Sequence, residues 1–425
     1  MTRVDSKSIN PYNVALRRII LLVLYKEGSL AQEELTQRTA NLSLRLQLSN
    51  KQPVPTHYSF EEPKSVEQIC QEMINENLLC LTSSKYELTK KGKAKAKRLA
   101  KALDNTANFF ENHLLSTPAT ARNALGGYGS LAAVQTLTGF FTGSVGLIAD
   151  GTGTIISTLS AGIVWMGIRT KKEHLSTSII IVLMLASALS IGLDSISSIA
   201  ANINGTIAPI SSPSLVIIVE CIAAVVALIF LLYQRFIGKR NQSLALITQS
   251  IDSKNNVFQA VAVIVAVICS IFGFHWVDSV IGMIIALQMT GSGLSLFKQV
   301  RRSLKGEQTD FNKYKLPFEG NSQQRREETY RTWILYTILQ EKTSTKQRIV
   351  ESLEKTYRTQ VLPPIFNEFT VGKDCNFEED FNKLITPLIE KSYVCQKEGT
   401  YSLTEQGRSH IRKVLSKIQY EQTAS

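Results

Sequence analysis

Two pairs of polar residues stand at helical spacing in the most apolar part of the chain. Asp150 and Thr154 form the first pair, and Asp252 and Asn256 form the second in a later segment. Residues four apart lie on the same face of a helix. A carboxylate inside an apolar helix is energetically costly, which makes it a candidate functional group. Two helices that each offer an oxygen pair therefore predict a four-oxygen cation site between them.

The types of these four residues indicate which cation would fit. Asp150 and Asp252 would neutralise a dication, while Thr154 and Asn256 would add uncharged oxygens. Without His or Cys, the set favours hard cations such as manganese or magnesium over zinc, and it also admits ferrous iron. Simpler roles stay open: Asp150 as a structural carboxylate, Asp252 in water, Thr154 bonded to its own backbone and Asn256 as a helix cap.

Three more polar residues lie in the apolar region. Asp194 and Glu220 are predicted to belong to a proton path or an auxiliary site, with pairing to a Ser or a backbone group as the alternative. Gln135 is predicted to serve helix packing.

Six apolar segments of spanning length occupy the centre of the chain, and each can form a transmembrane helix. Lys and Arg cluster after the second, fourth and sixth segments, whereas the alternate loops carry none. This asymmetry predicts a multi-pass protein of the inner or plasma membrane with both termini in the cytoplasm. The predicted segments are 124–144, 145–168, 176–200, 213–236, 245–273 and 276–297.

The two ends of the chain are polar and related to each other. In the N-terminal flank, helical patterns surround a hairpin pattern at 79–88, with a loop predicted at 40–64. This order resembles a winged-helix domain. A shift of 315 positions brings Tyr-x-Leu-Thr-x-x-Gly at 86–92 onto the same letters at 401–407, which predicts a second copy of that domain.

Composition agrees with a membrane protein that has soluble flanks. The 425 residues are 44% hydrophobic with a formal net charge of +12, and the six cysteines are scattered, as expected for reduced thiols. The fold class is predicted to be mainly α: a six-helix transmembrane bundle with N- and C-terminal cytosolic winged-helix domains of α+β type. The predicted parts are a winged-helix domain at 1–104, a linker at 105–120, the transmembrane domain at 121–303, a linker at 304–324 and a second winged-helix domain at 325–420.

Three stretches of the apolar region resemble the cation diffusion facilitator family. Residues 142–155 are similar to its second membrane helix, which typically has TGS followed by Ala-Asp, and residues 246–256 are similar to its fifth helix. Trp276-Val-Asp278 resembles the start of its sixth helix. Thr154 and Asn256 stand where the family usually has aspartate, so both positions keep oxygen but lose charge.

The resemblance implies a transporter and not an enzyme. A homodimer would export a divalent cation (manganese, iron, magnesium or zinc) by alternating access, with protons as counter-ion and no permanently bound cofactor. Asp150 and Asp252 would carry the protons. The rival hypothesis is a membrane-embedded cation sensor that has lost transport and signals through its winged-helix domains.

The winged-helix hypothesis raises the question of DNA binding. The third helix of such a domain normally reads the groove, but here it carries Glu67, Glu72 and Glu76, and the second copy is also acidic. Phosphate would repel these side chains. The expected partners are therefore a second copy of the chain, the lipid membrane and the divalent ion, and not nucleic acid.

The charge pattern of the loops can be tested with single cysteines in a cysteine-free background. Ser211→Cys should react with an impermeant thiol reagent in intact cells, and Gln242→Cys should react only after permeabilisation, because basic loops stay in the cytoplasm. The reverse labelling pattern would contradict the predicted topology.

Overall fold

The structure is a computed structural model that describes residues 11–49, 64–142, 145–203, 212–274, 276–305, 311–314, 316–317, 319–371 and 375–423. The chain divides into two compact units. One unit contains both flanks, Met1–Phe109 and Phe318–Ser425, and the other is the central segment Phe110–Pro317. The predicted domain boundaries stay a prediction.

The N-terminal flank consists of helices around a small antiparallel sheet. Ser65 starts the third helix with a reciprocal capping box, in which it exchanges hydrogen bonds with Gln68. The strands lie in the order β1-β3-β2. The elements are α1 (Pro11–Glu27), β1 (Leu30–Ala31), α2 (Gln32–Ser49), α3 (Val66–Asn75), β2 (Leu79–Thr82), β3 (Lys85–Leu88) and α4 (Lys90–Phe110).

Six long helices form the central unit. Five of them are long and apolar enough to cross a membrane, over Asp150–Arg169, Glu173–Ser197, Pro213–Arg240, Leu244–Ile271 and Val280–Arg302. The sixth, α5, is also long, but it is the first in the chain and includes Arg122 and Asn123. The helices are α5 (Thr117–Thr142), α6 (Val145–Arg169), α7 (Glu173–Ile203), α8 (Pro213–Arg240), α9 (Leu244–Ile271) and α10 (Trp276–Leu304).

Neighbouring helices of the central unit pack in pairs. The closest pairs are α5 with α6, α8 with α9, and α7 with α10. The first two pairs also contact each other through α5 with α8 and α6 with α9, so these four helices form one group. The stretch predicted as a linker at 105–120 is largely helical, because α4 continues to Phe110 and a π-helical turn (Glu111–Leu115) precedes α5.

The C-terminal flank repeats the N-terminal element order. Its strands lie in the order β4-β6-β5, the counterpart of β1-β3-β2, and one more helix, α13, is added. The elements are α11 (Glu319–Glu341), β4 (Thr343–Thr345), α12 (Lys346–Tyr357), α13 (Pro364–Val371), α14 (Phe377–Glu390), β5 (Val394–Lys397), β6 (Thr400–Leu403) and α15 (Glu405–Thr423).

Matching backbone contacts confirm the repeat. The hydroxyl of Thr89 donates to the carbonyl of Asn77 at 2.7 Å, and Thr404 makes the equivalent bond to Ser392. The glycine three residues after each threonine leaves no room for a side chain, since a Cβ would lie within 2.0 Å of a backbone oxygen in both copies. The shared motif thus encodes one local structure twice.

Part of the predicted loop at 40–64 is helical and ties the flanks together. α2 extends to Ser49, while residues 50–63 lie outside the described part of the chain. Arg45 on α2 is fully buried against the C-terminal flank. Its guanidinium donates to the carbonyl of Thr356 at 2.7 Å and to Oδ1 of Asn367 at 3.1 Å, and it lies over the ring of Tyr357.

The cysteines agree with the prediction of reduced single thiols, because all six are free. Burial raises the pKa of the Cys70 and Cys375 thiols to about 11, so both are protonated at neutral pH.

Arg45→Met should weaken the contact between the flanks. The change leaves two buried acceptors without their donor, which should lower the free energy of unfolding by about 1–3 kcal/mol. Urea unfolding can be followed by the fluorescence of buried Trp333, with Trp165 and Trp276 replaced by Phe. Arg38→Met on the same helix is the control, because its ion pair with Glu27 is partly exposed and should matter little. Equal stability of both variants would contradict the role assigned to Arg45.

Candidate cation site

A buried glutamine joins three helices of the central unit. Gln135 on α5 is fully buried. Its amide nitrogen donates to Oδ2 of Asp150 on α6 at 2.5 Å and to Oε1 of Glu220 on α8 at 3.4 Å. Its amide oxygen accepts from the hydroxyl of Thr154 at 2.6 Å. These four residues are called the Gln135 cluster below.

The Gln135 cluster concentrates negative charge in an apolar setting. Glu220 is fully buried, and the carboxyls of Asp150 and Glu220 also lie within hydrogen-bonding reach of each other. Two carboxylates this close repel strongly where water is excluded. A proton or a bound cation would relieve this repulsion, so the cluster is suited to hold either one.

A second polar group surrounds Asp252 on α9. Asp252 is 8% exposed. Ser157 on α6 shares a hydrogen bond with the Asp252 side chain, and it accepts from the amide nitrogen of Asn256 at 3.0 Å. Beside them, the hydroxyl of Tyr128 on α5 donates to that of Ser253 at 2.6 Å. Asp252, Asn256 and Ser157 are called the Asp252 cluster below.

Several buried polar atoms of α9 have no hydrogen-bond partner among the described residues. They are Oδ2 of Asp252, Oγ1 of Thr248, Oδ1 of Asn255 and both amide atoms of Gln249. Buried polar atoms normally have partners, and exceptions often mark a water or ion site. Thr248 stands four residues before Asp252, so both oxygens lie on one face of α9. This face can supply oxygen ligands.

The two clusters lie at different levels of the four-helix group. Asp150 and Ser157 are seven residues apart on α6, which corresponds to about 10 Å along the helix axis. Tyr128 and Gln135 have the same separation on α5. Between the levels, Oε1 of Gln259 approaches Gly153, where a Cβ would lie 4.0 Å from it. Polar groups therefore follow one another along the interior of the unit.

The structure places the predicted site residues in two groups. Asp150 and Thr154 belong to the Gln135 cluster, and Asp252 and Asn256 belong to the Asp252 cluster. Across the described residues, no group of three or more His, Cys, Asp or Glu could hold a metal ion. The binding of one ion by all four residues stays a prediction.

Some of the open alternatives can now be decided. α9 begins at Leu244 with Ser243 as its cap, so Asn256 is not a helix cap and Asp252 does not lie in water. The Thr154 hydroxyl also lies 3.1 Å from the carbonyl of Asp150, which is the backbone contact considered for it.

The two auxiliary candidates differ in their surroundings. Glu220 lies in the Gln135 cluster, whereas Asp194 is exposed on α7, outside the four-helix group. Sequence reasoning missed Ser157 and Thr248, because a single Ser or Thr in an apolar helix gives no signal of its own. Their spacing to known acids was the available clue: Thr248 is four residues from Asp252.

Long apolar helices around buried polar side chains define a multi-pass membrane protein with a polar interior. Residues 124–305 match the family profile of the cation efflux transmembrane domain. This part of the chain is therefore a cation efflux domain, and the resemblance to the cation diffusion facilitator family is confirmed for it. No curated protein sequence matches the chain. The matched domain is that of a metal cation transporter, and the family consists of transporters and not of enzymes.

The Gln135 cluster predicts a specific coupling between mutations. Gln135→Leu should destabilise the protein by about 1–3 kcal/mol, because two carboxyls lose their shared donor. In a Glu220→Gln background the loss should be smaller, since one charge of the repelling pair is gone. Thermal unfolding in detergent provides the measurement.

Gln234→Leu is the matched control for this cycle. Gln234 is also a fully buried glutamine of the central unit, but it accepts from Ser253 at 2.6 Å. Glu220→Gln should leave its cost unchanged. Additive losses for Gln135 and Glu220 would show that the amide does not hold the two carboxyls together.

Proposed function

We propose that this protein exports a divalent metal cation from the cytoplasm across the inner or plasma membrane, in exchange for protons and as a homodimer. The observation that carries the proposal is the buried carboxyl of Asp252. It lies inside a cation efflux domain, between α6 and α9, and one of its oxygens has no described partner. A buried acid of this kind is expensive to maintain unless it is used.

The transported ion binds at the Asp252 cluster. Asp252 supplies the charge, and Ser157 and Asn256 supply uncharged oxygens, with Thr248 on the same helix face as Asp252. Such a ligand set favours manganese, magnesium or ferrous iron, because these ions accept carboxylate, hydroxyl and amide oxygens. Zinc is less suited, since it prefers nitrogen and sulfur.

The counter-ion is handled by the Gln135 cluster. Asp150 and Glu220 share one amide donor, and a single negative charge on the pair is far less costly than two. The pair therefore keeps one proton when no cation is near and releases it when a cation approaches. Thr154 completes the cluster by orienting the Gln135 amide through its hydroxyl.

The flanks act as winged-helix domains for dimerisation or regulation. The support is the order of elements in each flank, in which three helices precede a hairpin and a strand before the second helix completes the sheet. Both flanks form one compact unit through contacts such as Arg45 with Thr356. A ligand that changes this contact could report to the rest of the chain.

One observation favours a second candidate, a cation sensor without transport. In the part of the chain that the structure describes, Asp252 is the one acid of its cluster. A single carboxylate leaves a dication partly uncompensated in an apolar domain, which would let the ion bind without completing a transport cycle.

Flux into proteoliposomes distinguishes the two candidates. Native protein should move one of manganese, iron, magnesium, cobalt or zinc against a pH gradient. Asp252→Asn should reduce the flux at least about tenfold, as expected for the loss of a charged ligand. Asp194→Asn is the matched control, since it removes a carboxylate of the same unit that lies outside both clusters.

Each outcome has one interpretation. Flux that survives Asp252→Asn would refute the assigned site. Binding of one ion without flux, lost in Asp252→Asn, would establish the sensor. Asp150→Asn should slow proton movement while calorimetric binding of the ion to detergent-solubilised protein is kept. Unchanged proton movement in that variant would exclude the Gln135 cluster as the proton carrier.

A further inference from the structure

Helix α4 has one strongly basic face. Seven cations occur between Lys90 and Lys101, all of them are exposed, and the first acid of the helix is Asp104. The opposite face contains Gly92, Ala96 and Ala100, which are buried. The cations are Lys90, Lys91, Lys93, Lys95, Lys97, Arg98 and Lys101.

These cations are not used within the flank. None of them belongs to an ion pair between described residues, and the one hydrogen bond recorded for the group runs from Nζ of Lys91 to the carbonyl of Glu76 at 3.1 Å. Seven neighbouring positive charges repel each other and weaken a helix. Their concentration on one face therefore needs a compensating partner outside the flank.

The repeat provides an internal comparison. α15 is the counterpart of α4, with the same preceding hairpin and the same close approach of its glycine to a backbone oxygen. At the seven equivalent positions it has three cations and one acid, and Arg408 approaches Glu405 at 3.9 Å. These positions are Glu405, Gln406, Arg408, His410, Arg412, Lys413 and Ser416. The fold alone therefore does not require a basic helix here.

The chain position of the two helices differs in one respect. α4 runs directly toward the membrane domain, because only residues 111–116 separate it from α5. It ends in Phe109 and Phe110, two exposed aromatic side chains. α15 has no such neighbour in the described chain. Basic residues next to a membrane segment attract anionic headgroups, and aromatic residues favour the membrane interface.

We propose that the basic face of α4 binds the headgroups of anionic phospholipids. The lipid phosphates neutralise the cations, and Phe109 and Phe110 lie at the interface. DNA fits this flank less well, because α3, next to the basic helix, carries Glu67, Glu72 and Glu76. The inference depends on the membrane domain and not on the proposed transport.

Acetylation of lysines on the full-length protein in nanodiscs tests this surface. One set of discs contains phosphatidylcholine alone, and the other also contains phosphatidylglycerol. The lysines of α4 should react at least about threefold more slowly in the anionic discs. Salt at about 1 M, where the screening length is about 3 Å, should remove the protection. Lys413 of α15 is the internal control and should react equally in both.

Matched triple variants locate the effect. Lys93→Gln with Lys97→Gln and Lys101→Gln should abolish the protection of Lys91 and Lys95. Arg408→Gln with Arg412→Gln and Lys413→Gln, at equivalent positions of α15 or beside them, should leave it intact. All six side chains are exposed, so both variants are expected to fold.

Three results would overturn the proposal. Equal reactivity of the α4 lysines in both lipid compositions would exclude headgroup binding. Equal protection of Lys413 would indicate general adsorption to the anionic surface. Protection by duplex DNA in phosphatidylcholine discs at about 0.15 M salt, without protection by anionic lipid, would make the surface a nucleic-acid site.

Discussion

Polar groups in an apolar helical unit must find their partners within the protein, and this constraint shapes the central domain. The side chain of Gln135 satisfies it for three helices at once, because one amide contacts Asp150, Thr154 and Glu220. Such an arrangement fixes how α5, α6 and α8 are rotated against one another. On α9 the same constraint is left unfulfilled around Asp252, and there the protein can accept an ion or water from outside.

The separation of the two clusters gives a physical basis for exchange. A cation site and a pair of carboxyls about 10 Å apart along α6 feel each other's charge where the dielectric is low. Positive charge arriving at one level therefore disfavours positive charge at the other. Gln259 and Thr154 stand between the levels and keep the interior polar.

The flanks illustrate how a duplicated domain can keep its fold and change its surface. The hairpin contacts and the crowded glycine are the same in both copies, since they are needed to close the local structure. The exposed face of the last helix is free to vary, and it has become basic in the copy next to the membrane domain. Buried Arg45 shows the converse, because one side chain of α2 makes contacts specific to the pairing of the two flanks.

The sequence by itself determined the helices, the repeat and the presence of costly acids. Hydropathy locates the apolar segments within a few residues, and Tyr-x-Leu-Thr-x-x-Gly occurs twice because local geometry demands it. The tertiary structure decided which residues meet. Spacing of four places Asp252 and Asn256 on one face of α9, but it says nothing about the rotation and axial shift of α6 against that face. For this reason Ser157 contacts them, while Asp150 and Thr154 contact Gln135.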